Sequence, residues 1–207
     1  MASLRPAVRD DRVIDAMAAV PREEFVPPEL ADQACDDRAL PVGSGQTISQ
    51  PFMVAIMTSA AAVRPTDRVL EVGTGTGYQA AILARLARTV VTVERIPALA
   101  VSATERLRRL GFTNIEVHLA LEKHLGWPDC APYDVIVVAA GSPGVPMELV
   151  GQLAVGGRLV IPVGDDSRQN LVLVRKAADG SWTPTGLGPC AFVPLIGPGA
   201  WDEDRAR

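Results

Sequence analysis

The feature that most constrains how this 207-residue chain folds is a regular alternation of short apolar segments with helical ones. The apolar segments are rich in Val, Ile and Leu and have the length of buried strands. They are residues 68–72, 89–94, 114–119, 134–139 and 158–163, and helical patterns at 78–86, 97–110 and 146–153 separate most of them. Strands that are apolar along their whole length are typical of a parallel sheet covered by helices on both faces. The alternation therefore predicts an α/β fold with a doubly wound, mostly parallel sheet.

Further elements flank this alternating part on both sides. Apolar residues at helical spacing predict extra N-terminal helices at 10–20 and 51–63. Between them, residues 21–49 read as irregular chain, and so long a stretch in a compact domain is often functional. Beyond the last helical pattern, 170–176 and 191–195 are the predicted strands of a C-terminal antiparallel hairpin.

Length and composition predict one domain over residues 1–207. The chain is 48% hydrophobic, which is enough apolar material for a single buried core. Its expected parts are N-terminal helices and a loop (10–66), the α/β core (67–164), the C-terminal strands (165–197) and a tail (198–207).

The charge pattern argues against nucleic acid as a partner. The formal net charge is −4, from 20 basic and 24 acidic residues, and no basic cluster stands out. Proteins that bind nucleic acid usually concentrate Lys and Arg on one face. No apolar stretch reaches the roughly 18 residues of a membrane span, and the N-terminus lacks the apolar core of a signal peptide. We therefore expect a cytoplasmic monomer that binds neither nucleic acid nor membrane.

The cysteines and histidines do not form a recognisable metal or redox motif. Cys35, Cys130 and Cys190 are far apart without a CxxC pair, and His118 and His124 lack ligand spacing. This set predicts neither a metal centre nor a disulfide framework, and it suits a reducing compartment.

The strongest local signal is a glycine cluster directly after the first predicted core strand. Gly73, Gly75 and Gly77 alternate with threonines, and Glu71 lies two residues ahead of the first glycine. Backbone N–H groups of such a loop face small-molecule ligands at the carboxyl edge of an open α/β sheet. A dinucleotide fingerprint would need glycine where Tyr78 stands, and a P-loop would need Lys followed by Ser or Thr. The loop therefore suits a cofactor without phosphates, with a plain tight turn as the alternative.

Glu94 ends the second predicted core strand, seventeen residues beyond Gly77. In nucleotide-binding folds, a carboxylate at a comparable place accepts hydrogen bonds from the ribose hydroxyls. The alternative is a capping acid for the helix predicted from residue 97. Either role requires the carboxylate to lie at the carboxyl edge of the sheet.

Several longer stretches of the chain carry a family resemblance. They are VPREEFVP (20–27), GQTISQP (45–51), DRVLEVGTGTGYQAA (67–81), VER (93–95), APYD (131–134), GGRLVIPVG (156–164) and FVPL (192–195). Together they resemble the protein-L-isoaspartate (D-aspartate) O-methyltransferase family over residues 10–197, and GQTISQP is the most specific of them. The resemblance implies a Rossmann-like fold of the S-adenosylmethionine methyltransferase type.

The resemblance also implies an activity. The expected enzyme is a carboxyl O-methyltransferase that uses S-adenosyl-L-methionine and acts on isoaspartyl-containing proteins and peptides. It would methylate the free carboxylate of L-isoaspartyl (and D-aspartyl) residues, which starts repair through a succinimide. Two alternatives stay open: a methyltransferase of the same lineage acting on an aspartate or another carboxylate of a biosynthetic peptide, and a non-catalytic cofactor-binding module. A nicotinamide oxidoreductase is disfavoured by Tyr78.

Roles for individual residues follow from the same resemblance. Ser49 is implied to be the catalytic hydroxyl that holds the isoaspartyl carboxylate, with Thr47 and Ile48 lining the substrate site. The residues implied to bind the cofactor are Glu71, Gly73, Thr74, Gly75, Gly77, Tyr78, Glu94, Arg95 and Glu122. Ser49 has an alternative as a helix-start residue, but Gln50, directly before Pro51, is better placed as the N-cap.

The chain departs from the family pattern after the third predicted core strand. Members usually have Gly-Asp-Gly there, with the Asp near the adenine, whereas this chain has Leu121-Glu122-Lys123. Glu122 keeps a carboxylate that is one methylene longer, and Lys123 adds bulk where a glycine is usual. A plain surface loop therefore remains an alternative interpretation of Glu122.

Overall fold

The computed structural model describes Val8, residues 10–165 and residues 167–206. Its strands are β1 (Leu40–Gly43), β2 (Gln46–Ile48), β3 (Arg68–Val72), β4 (Thr89–Glu94), β5 (Ile115–Leu119), β6 (Tyr133–Val138), β7 (Leu153–Gly164), β8 (Gln169–Lys176) and β9 (Trp182–Cys190). Its α-helices are α1 (Asp11–Ala18), α2 (Pro51–Ala61), α3 (Tyr78–Leu86), α4 (Pro97–Arg109) and α5 (Met147–Gly151), and short 3-10 helices lie at Arg22–Phe25, Pro28–Gln33, Pro128–Cys130 and Glu203–Ala206. None of these helices is long and apolar enough to cross a membrane.

Seven of the strands form one sheet in the order β5-β4-β3-β6-β7-β8-β9. Neighbouring strands from β5 to β7 are parallel, and β8 and β9 are added antiparallel. The chain runs from β3 outward to β5, and then returns to place β6 on the other side of β3. Such a reversal opens a crevice at the carboxyl ends of the two strands, where open α/β sheets bind their ligands. The doubly wound, mostly parallel sheet with a C-terminal antiparallel hairpin is thus confirmed.

The sheet is buried on both faces because alternate residues of its central strands point to opposite sides. Val69 and Val135 belong to the apolar cluster that also contains α1, α2 and α3. Leu70 and Ile136 belong to a second cluster, which contains α5. All four side chains are almost completely buried. The apolar runs visible in the sequence are therefore the consequence of cover on both faces.

The bounds of most core elements follow the predictions closely. β3, β4 and α3 coincide with the predicted segments, β5 and β8 differ from them by one residue at one end, and β6 is shifted by one residue at both ends. The extra N-terminal helices are confirmed as α1 and α2, each of which ends two residues earlier than predicted. β7 begins at Leu153, inside the helix predicted at 146–153, so α5 is correspondingly short.

The prediction that 21–49 is irregular chain is wrong in part. The segment contains two 3-10 helices and a hairpin of β1 and β2, in which Leu40 pairs with Ile48. Ser44 and Gly45 turn the hairpin with positive φ angles of 52° and 69°. Strands of three or four residues are too short for an alternating pattern to be recognised in the sequence.

The second strand of the C-terminal hairpin is predicted at 191–195, and this is also wrong. The strand is β9, which directly follows the predicted turn and ends at Cys190. Pro184 and Pro189 argue against a strand there, but β9 is the edge strand of the sheet, where proline is tolerated. Residues 191–195 instead run past the carboxyl edge of the sheet, where Gly141 pairs with Pro194.

Candidate active site

A cavity of about 430 Å³ lies at the carboxyl ends of β3, β4 and β6. Its size is within the roughly 300–1,000 Å³ of small-molecule sites. The lining residues are Val54 and most residues of the segments 45–49, 71–79, 93–96, 120–126, 139–140 and 193–198. Segments that are far apart in the sequence therefore meet where the order of the strands predicts a ligand site.

The glycine loop after β3 forms one wall of the cavity. The N–H groups of Gly73 and Thr74 donate to the carbonyl of Val93 at 2.9 and 3.2 Å, which fixes the loop against the end of β4. Gly75 has a φ of +54°, in the left-handed region that favours glycine. Gly77 has a φ of +89° and precedes α3, and a Cβ added there would lie 3.2 Å from the side chain of Leu107. Gly77 therefore allows close packing of α3 and is not among the lining residues.

Glu94 joins the glycine loop to the segment after β4. The N–H of Gly75 donates to its Oε2 at 2.8 Å, and the N–H of Ile96 donates to its Oε1 at 2.9 Å. Each carboxylate oxygen has a second lone pair, so both can still accept a hydrogen bond from a ligand hydroxyl. The side chain is buried yet lines the cavity. Glu94 does not cap α4, which has no side-chain cap hydrogen bond, but binds the N–H of the N-cap residue Ile96 itself. These backbone contacts are compatible with the ribose-binding interpretation.

Glu71 is a fully buried carboxyl group in the floor of the cavity. The hydroxyl of Thr92 donates to its Oε2, and the hydroxyl of Thr74 donates in turn to Thr92 at 2.7 Å. Burial raises the pKa of Glu71 to about 8, against the hydrogen bond from Thr92 that lowers it, and the negative charge of Glu94 raises it further. Its Oε1 has no hydrogen-bond partner among the described residues.

Tyr78 and Gln79 begin α3 with two more buried polar groups. The Tyr78 hydroxyl and the Gln79 Nε2 have no hydrogen-bond partner within the described part of the chain. Both side chains line the cavity, and burial raises the pKa of Tyr78 to about 12. Buried polar groups normally have partners, so these atoms and the Glu71 Oε1 require ordered water or a polar ligand to complete their hydrogen bonds. A ligand that carries both an ammonium and a carboxylate group fits this set of donors and acceptors.

Residues 45–49, which we call the substrate loop because the resemblance implies that they bind the substrate, also line the cavity. Thr47, Ile48 and Ser49 all line the same cavity as the glycine loop. Gln50 is the N-cap residue of α2, as predicted, but the cap hydrogen bond comes from elsewhere: the Asp37 carboxylate accepts from the N–H of Phe52 at 2.8 Å. No described residue forms a hydrogen bond with the Ser49 hydroxyl, so this hydroxyl can bind a ligand.

Of the two remaining residues that the resemblance implies for the cofactor, Arg95 lines the cavity and Glu122 does not. Arg95 lines the cavity and forms an ion pair with Glu203 at 3.7 Å. Glu122 is exposed and is not among the lining residues, whereas Leu121 and His124 of the same loop are. The structure thus brings together the implied site residues with the exceptions of Gly77 and Glu122.

Two parts of the wall are missing from the sequence-based set. The loop after β5 contributes His124, whose Nδ1 lies 2.8 Å from the Glu148 carboxylate. The sequence could have predicted that this loop lines the site, because it follows a parallel strand and the carboxyl ends of parallel strands lie at one edge of the sheet. Residues 193–198 also line the cavity. They are not included in the sequence-based site because a strand of the C-terminal hairpin is predicted at 191–195.

Comparison with known sequences identifies the family. The model of the protein-L-isoaspartate (D-aspartate) O-methyltransferase family matches residues 3–199. The chain is 49% identical over 195 residues to protein-L-isoaspartate O-methyltransferase 2 of Marinobacter nauticus, covering 94% of this chain and 89% of the relative. It is 51% identical over 199 residues to protein-L-isoaspartate O-methyltransferase 1 of Geotalea uraniireducens, covering 96% and 90%.

Solved structures agree with this assignment. A protein-L-isoaspartate O-methyltransferase superposes with a TM-score of 0.80 at 31% identity over 91% of this chain, which spans 62% of that longer chain. A Plasmodium falciparum protein assigned to the same class and solved with S-adenosyl-L-homocysteine superposes with a TM-score of 0.77 at 24% identity, covering 91% of each chain, and shows the shared fold. The chain belongs to the protein-L-isoaspartate (D-aspartate) O-methyltransferase family.

Proposed function

We propose that this protein transfers a methyl group from S-adenosyl-L-methionine to the free carboxylate of L-isoaspartyl residues in damaged proteins and peptides. Membership of the family supports the activity. In this chain, the main support for the activity is that the substrate loop and the glycine loop line the same cavity. A methyl donor and a carboxylate must meet in one site for the transfer to take place.

The residues around the cavity suit the cofactor. When bound, S-adenosyl-L-methionine supplies an electrophilic methyl group on a positively charged sulfur. The unpartnered atoms of Glu71, Tyr78 and Gln79 suit its amino-acid end, and the lone pairs of Glu94 suit its ribose hydroxyls. Gly73, Thr74, Gly75 and Arg95 complete the proposed set. We do not include Glu122 among the contacts, because its exposed side chain does not line the cavity.

The substrate needs orientation and not activation by a base. A carboxyl group with an ordinary pKa of about 4 is already ionised at pH 7. Ser49 can donate a hydrogen bond to one carboxylate oxygen and leave the other free to attack. Ile48 and Leu195 contribute buried apolar side chains to the wall, which limits the access of water. Correct placement of the carboxylate oxygen is therefore the main contribution of the protein.

The product determines the biological outcome. Methoxide leaves an ester far more easily than an oxide ion leaves a carboxylate. The neighbouring backbone nitrogen can therefore attack the ester carbonyl, lose its proton and expel methanol, which closes a succinimide ring. Hydrolysis of the ring gives normal aspartate in part, which repairs the chain. We propose further that D-aspartyl residues are accepted, and that the protein acts in the cytoplasm as a single-domain monomer without nucleic acid or membrane.

Methyl transfer to matched peptides tests this function. S-adenosylmethionine with a labelled methyl group is incubated with isoaspartyl, aspartyl and unrelated versions of one peptide. We expect base-labile label on the isoaspartyl peptide alone. Label only on an ordinary aspartyl peptide would indicate a methyltransferase of the same lineage with another substrate. Tight cofactor binding without any transfer would indicate a non-catalytic module.

A further inference from the structure

Arg22 is a buried arginine that holds the base of the substrate loop. Its side chain donates to three backbone carbonyls, those of Ala34, Arg38 and Ser49, with the Ser49 contact at 3.0 Å. Ala34 and Arg38 precede the hairpin of β1 and β2, and Ser49 follows it. One guanidinium therefore joins the two ends of the segment that carries Thr47 to Ser49.

Arg22 also contacts the wall that faces the cofactor. Its guanidinium lies over the ring of Tyr78, 5.7 Å from the centroid, and Phe25 packs edge-on against the same ring at 5.5 Å. Arg106 lies over Phe25 at 5.9 Å and donates to the carbonyl of Thr76 at 2.9 Å. These four side chains, which we call the arginine–aromatic series, link the backbone of Ser49 to the backbone of the glycine loop.

The energetics indicate a role beyond filling space. Arg22 is 5% exposed and forms no ion pair with a carboxylate of the described residues. Burial of a cation is costly, and the Nε of Arg22 has no hydrogen-bond partner among the described residues. The bonds to the three carbonyls, together with the negative charges of Asp36 and Asp37, offset part of this loss of water. An apolar side chain would fill the same volume at lower cost. The hydrogen-bonding geometry is therefore what this position requires.

The bond to the Ser49 carbonyl restrains the backbone that carries the Ser49 side chain. Ile48 is anchored in β2 on one side, and Gln50 precedes Pro51, whose ring fixes its own φ, on the other. The peptide between Ser49 and Gln50 then has its orientation set by Arg22. A hydroxyl points correctly only when the backbone that carries it is held.

We infer that Arg22 is a positioning residue for methyl transfer. By binding the Ser49 carbonyl, it holds the backbone of Ser49, and with it the hydroxyl, at a fixed position relative to the glycine loop. This inference rests on the proposed function, because it assumes that Ser49 binds the substrate carboxylate. It assigns Arg22 no contact with the reacting atoms. A misplaced hydroxyl lowers the rate of transfer, whereas the cofactor contacts in the glycine loop stay in place.

Arg22→Met and Arg22→Lys test the inference, with Arg109→Met as the matched control. Arg109 forms an exposed ion pair with Glu24 at 2.8 Å, so the control changes the same residue type beside the same 3-10 helix. With saturating cofactor, we expect Arg22→Met to lower kcat for an isoaspartyl peptide by about 10-fold or more. Arg22→Lys keeps a cation and some of the hydrogen bonds, so a smaller loss is expected. Because Arg22 contacts the ring of Tyr78, we expect some loss of cofactor affinity by calorimetry, but by a smaller factor than the loss in kcat. Arg109→Met retains the wild-type kcat.

A double variant separates positioning from loss of stability. All assays are run well below the Tm of each variant. If Arg22 acts through Ser49, adding Arg22→Met to Ser49→Ala lowers kcat by less than about 2-fold more. Wild-type kcat in a folded Arg22→Met variant, or losses that multiply in the double variant, would overturn the inference. If Arg22→Met does not fold, Arg22→Lys decides by the same criteria. A wild-type enzyme that fails on the isoaspartyl peptide contradicts the proposed function instead.

Discussion

Two carboxyl groups on neighbouring strands, Glu71 and Glu94, have opposite environments in the same cavity. Both oxygens of Glu94 accept backbone N–H groups, whereas Glu71 is fully buried and accepts only from the Thr92 hydroxyl. Desolvation disfavours the charged form of Glu71 and raises its pKa to about 8. Single residues of similar chemistry can therefore contribute differently to ligand binding and to stability.

Ser49→Ala is the most direct residue-scale change. Removing the hydroxyl deletes one hydrogen bond to a charged carboxylate, which is worth about 1.5–3 kcal/mol, or about 10–150-fold in rate. We expect this loss in the turnover of an isoaspartyl peptide, with normal folding and normal cofactor affinity. Steady-state kinetics and calorimetry measure the two quantities. Wild-type turnover by a well-folded variant would exclude Ser49 from the reaction.

Glu94→Ala affects the cofactor and not the substrate. The change removes the proposed ribose acceptors and also frees the N–H groups of Gly75 and Ile96. We expect cofactor affinity to fall by about 10-fold or more, because a hydrogen bond to a charged group is worth about 1.5–3 kcal/mol. Calorimetric titration with S-adenosylhomocysteine measures this change. An unchanged affinity would show that the ribose assignment is wrong.

The raised pKa of Glu71 predicts that the free energy of unfolding depends on pH. Its pKa is raised from 4.5 to about 8 in the folded protein, so the unfolded chain holds fewer protons than the folded one between these pH values. The free energy of unfolding therefore decreases as the pH rises through this window, by a few kcal/mol in total. Below the window the acid is protonated in both states, so this group no longer makes the free energy of unfolding depend on pH.

Glu71→Gln tests this dependence by chemical denaturation across the same pH range. The amide is neutral at every pH, so its free energy of unfolding is expected to depend less on pH than that of the wild type. Glu105→Gln, at an exposed position of α4, is the control and keeps the wild-type dependence. An identical pH dependence in Glu71→Gln and wild type would contradict the raised pKa.

At the scale of elements, the glycine loop and α3 depend on a close contact with α4. Gly77 combines a φ of +89° with a position 3.2 Å from Leu107 for an added Cβ, whereas Gly111 has a φ of +81° and nothing within 4 Å. Alanine at either glycine introduces strain of about 1–2 kcal/mol. Only Gly77→Ala must also displace Leu107.

We therefore expect Gly77→Ala to lower the free energy of unfolding by more than Gly111→Ala does. Overpacking of a buried contact typically adds about 1–3 kcal/mol. Urea denaturation of both variants measures the difference. Equal losses in the two variants would mean that Leu107 moves away without cost and that Gly77 matters only for its backbone conformation.

The elements that the sequence predicts well are those whose pattern is long and local. β3, β4 and α3 each follow from a run of residues that can be recognised without knowledge of distant contacts. The hairpin of β1 and β2 is too short for this, and its position depends on Arg22, up to 27 residues away from the carbonyls it binds. The cap of α2 likewise comes from Asp37, fifteen residues before Phe52. Such contacts between separate segments have no local pattern in the sequence.

At the scale of the whole molecule, the order of the strands creates the site. Because β6 returns to the opposite side of β3 from β4, the loops after these strands meet at one edge of the sheet. The Ser49 loop from the N-terminal part and residues 193–198 from the C-terminal part close the cavity from outside the core. The carboxyl-edge loops could be predicted from the alternation of elements. Of the closing segments, 45–49 follows only from the family resemblance, since local patterns do not show the hairpin that carries it, and 193–198 is missed because β9 is placed wrongly.

The structure of a complex with S-adenosylhomocysteine and an isoaspartyl peptide tests this arrangement most directly. We predict that the Ser49 hydroxyl lies within hydrogen-bond distance, about 3 Å, of the isoaspartyl carboxylate. Glu94 should accept from the ribose in the same cavity, with the free carboxylate oxygen facing the sulfur. A peptide carboxylate bound away from Ser49, or a cofactor bound outside the cavity beside the glycine loop, would contradict the arrangement.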